Sequence, residues 1–144
     1  MERFVSHSEQ ETEAFAQRFA RRLDAGSTLA FRGGLGAGKT AFVRGLARGL
    51  GCSDAVSSPT FAIVQEYYGG RLPLFHFDWY RITDLNDLYS TGFFEYLDRG
   101  GVCAIEWSER VPSALPEDAV FITMTPSESP ETRLITIESE ARTD

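Results

Sequence analysis

Two stretches of the chain carry apolar residues at helical spacing. In the first, Ser8 is followed three positions later by a glutamate, which is the spacing of a helix capping box. Large apolar residues then recur every four positions as far as Leu23, so we predict an amphipathic helix over residues 8–23. In the second, apolar residues hold helical spacing over residues 38–50, and the glycines at positions 49 and 51 predict its end.

Shorter runs of apolar and β-branched residues alternate with these helices. Residues 27–32 predict a strand that runs directly into a glycine-rich segment. Residues 61–68 and 72–79 flank Gly69 and Gly70, a pattern typical of a β-hairpin. The same reasoning predicts two short helices and three later strands, at residues 84–89, 92–97, 102–105, 118–125 and 133–138.

Composition and charge narrow the classes of protein. The net charge of −7 argues against a large nucleic-acid-binding surface, because such a field repels phosphate. No apolar run reaches the ~18–20 residues that a membrane-spanning helix needs, and the N-terminus lacks the apolar core of a signal peptide. Cys52 and Cys103 lie in apolar surroundings without metal-site spacing, so we predict two buried thiols in a reducing compartment, with the cytoplasm as the expected location.

The glycine-rich segment Gly33–Thr40 has two glycines separated by four residues and followed by lysine and threonine, the pattern of a phosphate-binding loop. Its glycines let backbone amides approach phosphate oxygens at the start of a helix. Lys39 is the only lysine in the chain and would reach the β- and γ-phosphates, and the Thr40 hydroxyl would serve Mg²⁺. The predicted nucleotide-binding positions in this loop are Leu35, Gly36, Ala37, Gly38, Lys39 and Thr40.

A strand, a phosphate loop and a helix, followed by further strands and helices, predict the fold class. We expect an α/β, P-loop NTPase-like three-layer sandwich with a mixed central sheet and a β-hairpin insertion. The 144 residues are the size of one domain, and no internal linker divides them. We therefore predict a single P-loop ATPase domain at residues 1–139 and a polar C-terminal tail at 140–144.

Phosphate transfer also needs a carboxylate for the magnesium shell, and Glu106 supplies one at the end of an apolar strand. Asp78 would hold a metal-bound water or orient the attacking one, and Arg81 would neutralise charge on the transferring phosphoryl group. Trp107 is interpreted either as core or as a wall of the phosphate site. The polar turn at residues 57–60 lies where nucleotide-sensing switches occur in such folds, and it is interpreted either as an ordinary turn or as a switch in which Thr60 touches the metal or the γ-phosphate.

Three activities fit these residues. A slow, magnesium-dependent ATPase is the main prediction, because a chain of this length has little to close over the site and exclude water. A small-molecule P-loop kinase, with Asp78 as base and Arg81 as phosphate clamp, is the alternative enzyme. A non-catalytic module that binds ATP as a switch is the third. A GTPase is disfavoured, since the usual guanine-selecting element needs a lysine and the only one is Lys39.

Taken in order, the motifs resemble those of the TsaE (also called YjeE) family of P-loop ATPases, which act in bacterial tRNA threonylcarbamoyladenosine synthesis. The matching motifs are Gly33–Thr40, Ser58-Pro59-Thr60-Phe61, His76-x-Asp78-x-Tyr80-Arg81 and Ile105-Glu106-Trp107. The resemblance implies ATP and Mg²⁺ as cofactors and homologues of TsaB and TsaD as partners. It implies that ATP hydrolysis resets the complex between turnovers, and that tRNA is met only through the partners.

The resemblance also implies a role for individual residues. Lys39 holds phosphate, Thr40 and Glu106 serve Mg²⁺, and Asp78 supports hydrolysis. A second set surrounds the nucleotide or responds to it: Ser58 and Thr60 as a switch, Trp107 beside the nucleotide, and Glu9 at the nucleoside. The sequence departs from the family pattern at two loop positions, because Gly34 stands where an aspartate is common and Ala41 where a second threonine is common.

Overall fold

The computed structural model describes residues 1–33, 38–53, 64–139 and the backbone of 56–57. Several predicted features lie outside the described residues. They are the loop positions Gly34, Leu35, Gly36 and Ala37, the switch residues Ser58 and Thr60, the hairpin start at 61–63, and the tail at 140–144.

Eight strands form one sheet in the described part of the chain. In chain order they are β1 (Glu2–Ser6), β2 (Thr28–Arg32), β3 (Val56–Ser57), β4 (Val64–Tyr67), β5 (Leu74–Asp78), β6 (Val102–Glu106), β7 (Val120–Pro126) and β8 (Arg133–Ser139). Across the sheet the order is β1-β8-β7-β2-β6-β5-β4-β3. The predicted strands are all confirmed where they are described.

The sheet is mixed, as predicted. Its centre is parallel: β2 pairs with β6 and β7, and β6 pairs with β5. Both margins are antiparallel, with the hairpin β4–β5 extending one side and β7–β8 the other. Because parallel strands end at the same edge, the chain leaves β2, β5 and β6 at one edge of the sheet. That edge holds the strand ends Arg32, Asp78 and Glu106.

Four α-helices are described, at α1 (Glu9–Phe19), α2 (Lys39–Leu50), α3 (Leu85–Tyr89) and α4 (Phe93–Tyr96). The predicted first helix is confirmed, with its last turn tightened to a 3-10 turn at Ala20–Arg22. The Ser8 hydroxyl accepts a hydrogen bond from the backbone amide of Glu11 at 3.1 Å, as in a capping box. The Glu11 carboxylate, however, accepts its hydrogen bond from the backbone amide of His7 and not from that of Ser8. Within the described ranges, no helix has the length and apolar content needed to cross a bilayer.

Side chains of the central strands alternate between two cores, which gives the three predicted layers. On β6, Val102 and Ala104 point into the core beneath α1 and α2. Cys103 and Ile105 point to the opposite core, beneath α3 and α4. Cys103 is a buried thiol, as predicted, and burial raises its pKa to about 12.

Three local features differ from the sequence expectations. The short strand β1 was not predicted, because its five residues show little apolar alternation; it forms by pairing with β8. Cys52 is half-buried rather than buried, and its thiol lies 3.3 Å from the Leu72 carbonyl oxygen. Gly49 does not end the second helix but lies inside it, and Gly51, at a φ of 82°, forms the C-cap.

Gly49 and Gly45 share one function, which is close contact between α1 and α2. A Cβ atom at Gly45 would lie 2.3 Å from the Glu13 carbonyl oxygen, and one at Gly49 would lie 2.4 Å from that of Gln17. Both distances are far below normal contact. The backbones of the two helices therefore touch at these positions, with Ala16 and Ala20 as the small residues opposite.

Candidate functional site

A cleft of about 630 Å³ opens at the sheet edge where β2 and β6 end. Its walls come from the start of α1, the start of α2, the end of β6 and the turn between β7 and β8. Of the predicted site residues, five line this cleft: Glu9, Gly38, Lys39, Thr40 and Glu106. Ala41, one of the two departures from the family pattern, also lines it. The volume is within the range of about 300–1,000 Å³ that small-molecule sites occupy.

Two helix N-termini face this cleft, and they differ in capping and in the charges of their first turns. The first turn of α1 is capped by the Ser8 side chain and carries two glutamates, so its free amides and positive dipole end are compensated. The first turn of α2 begins at Gly38 in the left-handed region, with a φ of 97°, and has neither a capping side chain nor an acid among the described residues. Lys39 adds a further positive charge there. The start of α2 therefore favours a bound anion.

Lys39 is held inside the cleft although it carries a charge. Only 6% of the residue is exposed. Its ammonium group lies 3.1 Å from the Gly33 carbonyl oxygen, 3.6 Å from Glu106 Oε1 and 5.6 Å from the centre of the Trp107 ring. A buried ammonium group with a carboxylate beside it is oriented before any ligand arrives.

Glu106 is the last residue of β6, and its two carboxylate oxygens have different partners. Oε1 faces Lys39, and Oε2 lies 2.6 Å from His76 Nε2. Burial raises the pKa of Glu106, but the hydrogen bond and charge of His76 and the charge of Lys39 outweigh it and lower the pKa below its ordinary value. The carboxylate is thus anionic near neutral pH.

Asp78 ends β5 directly opposite Glu106 in the parallel ladder, so the sheet brings the two acidic residues to the same edge. The Asp78 side chain is exposed and accepts a hydrogen bond from the Tyr80 amide at 2.9 Å. The strand ends here and does not continue to Tyr80. Within the motif His76-x-Asp78-x-Tyr80, only His76 and Asp78 therefore lie on one face of the strand. Arg81 is exposed in the turn that follows.

Trp107 follows Glu106 in a left-handed conformation, with a φ of 62° and a ψ of 35°. Among the described residues it is the only non-glycine residue with a positive φ, which is uncommon for a bulky side chain. Its ring packs edge-on against Tyr80 at 4.9 Å between ring centres, and the Arg110 guanidinium lies 5.4 Å from the centre of the indole. Trp107 is half-buried and packs against the core beneath α3 and α4, and Lys39 Nζ lies 5.6 Å from the centre of its ring, so the placement is compatible with both interpretations.

Several residues at the site carry no predicted role. The β7–β8 turn contributes Pro130 and Glu131 to the cleft, and Arg133 lines it from the first position of β8. The Arg133 guanidinium donates to the Pro130 carbonyl at 2.6 Å, which ties the side chain to its own turn. Because this turn lies about 90 residues beyond the phosphate loop and has no motif, only the antiparallel pairing of β7 and β8 places it there. His76 belongs to one of the motifs found in the sequence, but its hydrogen bond to Glu106 depends on the register in which β5 pairs with β6.

The residues at the cleft suit a magnesium ion held together with phosphate. Thr40 and Glu106 offer a hydroxyl and a carboxylate oxygen, which are the hard donors that Mg²⁺ prefers. Within the described residues, no group of three or more His, Cys, Asp or Glu side chains could form an all-protein metal cage. Mg²⁺ is usually bound by one or two protein ligands plus substrate phosphates and water, so this sparse donor set fits it.

The sheet order, the two opposed cores and the edge cleft define a P-loop NTPase-like three-layer α/β protein. Residues 6–135 match the family described as threonylcarbamoyl adenosine biosynthesis protein TsaE, and the chain belongs to that family.

Named relatives and a solved structure agree with this assignment. The tRNA threonylcarbamoyladenosine biosynthesis protein TsaE of Treponema pallidum is 46% identical over 85% of this chain and 90% of its own length. The protein of the same name from Bacillus subtilis is 42% identical over 78% of this chain and 70% of its own length. The crystal structure of Bacillus subtilis YdiB has a TM-score of 0.79 and 33% identity, and the match covers 96% of this chain and 84% of that one.

Proposed function

We propose that this chain binds ATP with Mg²⁺ in the cleft at the start of α2, hydrolyses it slowly, and thereby supports tRNA N6-threonylcarbamoyladenosine modification. The observation that carries the proposal is the environment of Lys39. It is the only lysine of the chain, and it is buried at a helix N-terminus that has no capping side chain among the described residues. Its ammonium group lies 3.6 Å from a carboxylate oxygen of Glu106. An anion with several negative oxygens suits that arrangement.

The residues around Lys39 would divide the work as follows. Lys39 and the first amides of α2 bind the β- and γ-phosphates, and Thr40 and Glu106 hold the metal shell. Bound Mg²⁺ supplies neutralisation of charge on the phosphate oxygens. Asp78, one strand away from Glu106, orients water from the exposed edge. Ser58 and Thr60 form the switch segment that responds to the γ-phosphate.

The nucleoside would lie toward α1 and Trp107. Glu9 lines the cleft in the first turn of α1, and we propose it as a contact of the nucleoside. Trp107 offers an aromatic ring whose centre lies 5.6 Å from the Lys39 ammonium group. The loop positions Leu35, Gly36, Ala37 and Gly38 complete the phosphate cradle in this proposal.

The hydrolytic cycle would act on a complex of TsaB and TsaD homologues rather than on tRNA directly. The family name supports a place in threonylcarbamoyladenosine synthesis. The net charge of −7 disfavours a tRNA surface on this chain, because the backbone of RNA carries the same sign of charge. We therefore expect tRNA contact to pass through the partners.

Steady-state ATPase assays test this proposal. The isolated chain is expected to turn over slowly with Mg²⁺ and to be stimulated when TsaB and TsaD homologues are added together. Calorimetry should detect binding of adenine nucleotide by the chain alone or with these partners. If no heat of binding is found with well-folded protein under either condition, the proposed function is wrong. Fast turnover by the pure chain, or tight and salt-sensitive tRNA binding by it alone, would contradict the partner-dependent cycle.

A further inference from the structure

His76 is placed by the sheet to reach the end of the neighbouring strand. It lies on β5 opposite Ala104 of β6, and Ala104 is two residues before Glu106 on the same face. The small side chain of Ala104 leaves room for the imidazole to extend along that face. The His76 and Glu106 side chains are 15% and 17% exposed, so their contact is largely shielded from water.

The contact is short and selects one oxygen of the carboxylate. His76 Nε2 lies 2.6 Å from Glu106 Oε2, whereas Lys39 Nζ lies 3.6 Å from Oε1. The imidazole therefore occupies Oε2, from the neighbouring strand β5. Oε1 is left facing the cleft and the start of α2, where phosphate and metal would be bound.

We propose that His76 is a positioning residue that holds the Glu106 carboxylate toward the metal, an inference that rests on the proposed function. Lys39 cannot do this once nucleotide is bound, because its ammonium group is then engaged by phosphate. Within the described residues, His76 is the remaining hydrogen-bond partner of the carboxylate. Partners of this kind fix the orientation of a metal ligand, and their loss typically weakens metal affinity or activity.

The test compares binding of a non-hydrolysable ATP analogue with Mg²⁺ and with EDTA, measured by calorimetry. The ratio of the two dissociation constants reports how strongly the site couples nucleotide to metal. His76→Leu removes the hydrogen bond and keeps an apolar side chain, and His76→Gln restores an N–H donor. Gln65→Leu is the matched control, because Gln65 is the cross-strand neighbour of His76 on β4 and is exposed.

We expect His76→Leu to reduce the magnesium-dependent gain in affinity by roughly 10- to 100-fold. Binding in EDTA should change little, His76→Gln should recover most of the loss, and Gln65→Leu should match the unmodified protein. The inference is overturned if His76→Leu keeps the full magnesium effect. Equal losses in EDTA and Mg²⁺ for both His76 variants, with a lowered melting temperature, would also overturn it by indicating a structural role. A lack of nucleotide binding by the unmodified protein would instead refute the proposed function.

Discussion

Replacing Gly45 with alanine adds a methyl group where α1 and α2 are in backbone contact. The new Cβ would lie 2.3 Å from the Glu13 carbonyl oxygen and 2.7 Å from the Ala16 Cβ. Carbon atoms in ordinary contact are about 3.5–4.0 Å apart, so one helix must move away from the other. Neither obstacle is a flexible side-chain end that could rotate aside.

Two opposing free-energy terms decide the outcome. Alanine is a better helix former than glycine by about 1 kcal/mol. Forcing extra volume into a packed contact costs roughly 1–3 kcal/mol, and a backbone obstacle places Gly45 toward the upper end. We expect Gly45→Ala to destabilise the protein by a net ~1–2 kcal/mol, which lowers the melting temperature by roughly 3–8 °C for a domain of this size.

Thermal and urea unfolding followed by circular dichroism measure this effect. Ala14→Gly is the matched control, because Ala14 is exposed on α1 and the change reverses the helix-propensity term without any packing term. It should destabilise by about 1 kcal/mol. If Gly45→Ala instead stabilises the protein by a similar amount, there is space between the helices and the reasoning is refuted.

Three further predictions concern the cleft. Lys39→Ala should leave the fold intact and weaken nucleotide binding by roughly 10- to 150-fold, the loss of a charged hydrogen bond, as measured by calorimetry. Glu106 has a folded-state pKa below its ordinary value of 4.5, so its stabilising contribution is present above that pH and is lost as the pH falls through the folded value. The stability advantage of the unmodified protein over Glu106→Gln should therefore shrink in urea unfolding as the pH falls below the ordinary value of 4.5. Addition of nucleotide should change tryptophan fluorescence, and Trp107→Phe should abolish this response while Trp79→Phe, at a fully buried position, keeps it.

Each of these predictions has a clear contrary result. Unchanged affinity in folded Lys39→Ala would remove this residue from the phosphate site. If the stability advantage of the unmodified protein over Glu106→Gln instead grows toward low pH, the pKa of Glu106 is raised in the folded protein and not lowered. A fluorescence response that survives in Trp107→Phe would place the nucleotide away from that ring.

The elements that could be predicted from the sequence are those specified by local patterns. Residues 38–50 have helical spacing, and residues 102–105 are an apolar run too short for a helix. The structure has both elements, with ends within one or two residues of the predicted bounds. Lys39, Thr40 and Glu106 could be located because a phosphate loop and an acidic strand end are local patterns. The structure then brings them to one cleft because β2 and β6 are parallel neighbours.

The features that could not be predicted depend on contacts distant in sequence. Strand β1 has little pattern of its own and is stabilised by β8, more than 120 residues later. Gly49 looked like a helix end, since helix propensity alone disfavours glycine, but contact with α1 requires a residue without a side chain there. The bond between His76 and Glu106 follows from the register of β5 on β6, which no local pattern specifies.

The pairing of the first strand with the last has a consequence for synthesis on the ribosome. In the described part of the chain, β1 pairs only with β8, which ends at Ser139. The parallel centre can assemble while the N-terminal strand still lacks a partner. Because β1 leads into the start of α1, one wall of the cleft is anchored by residues translated more than 120 positions later. A nascent chain thus completes this wall of the cleft only when β8 has left the exit tunnel.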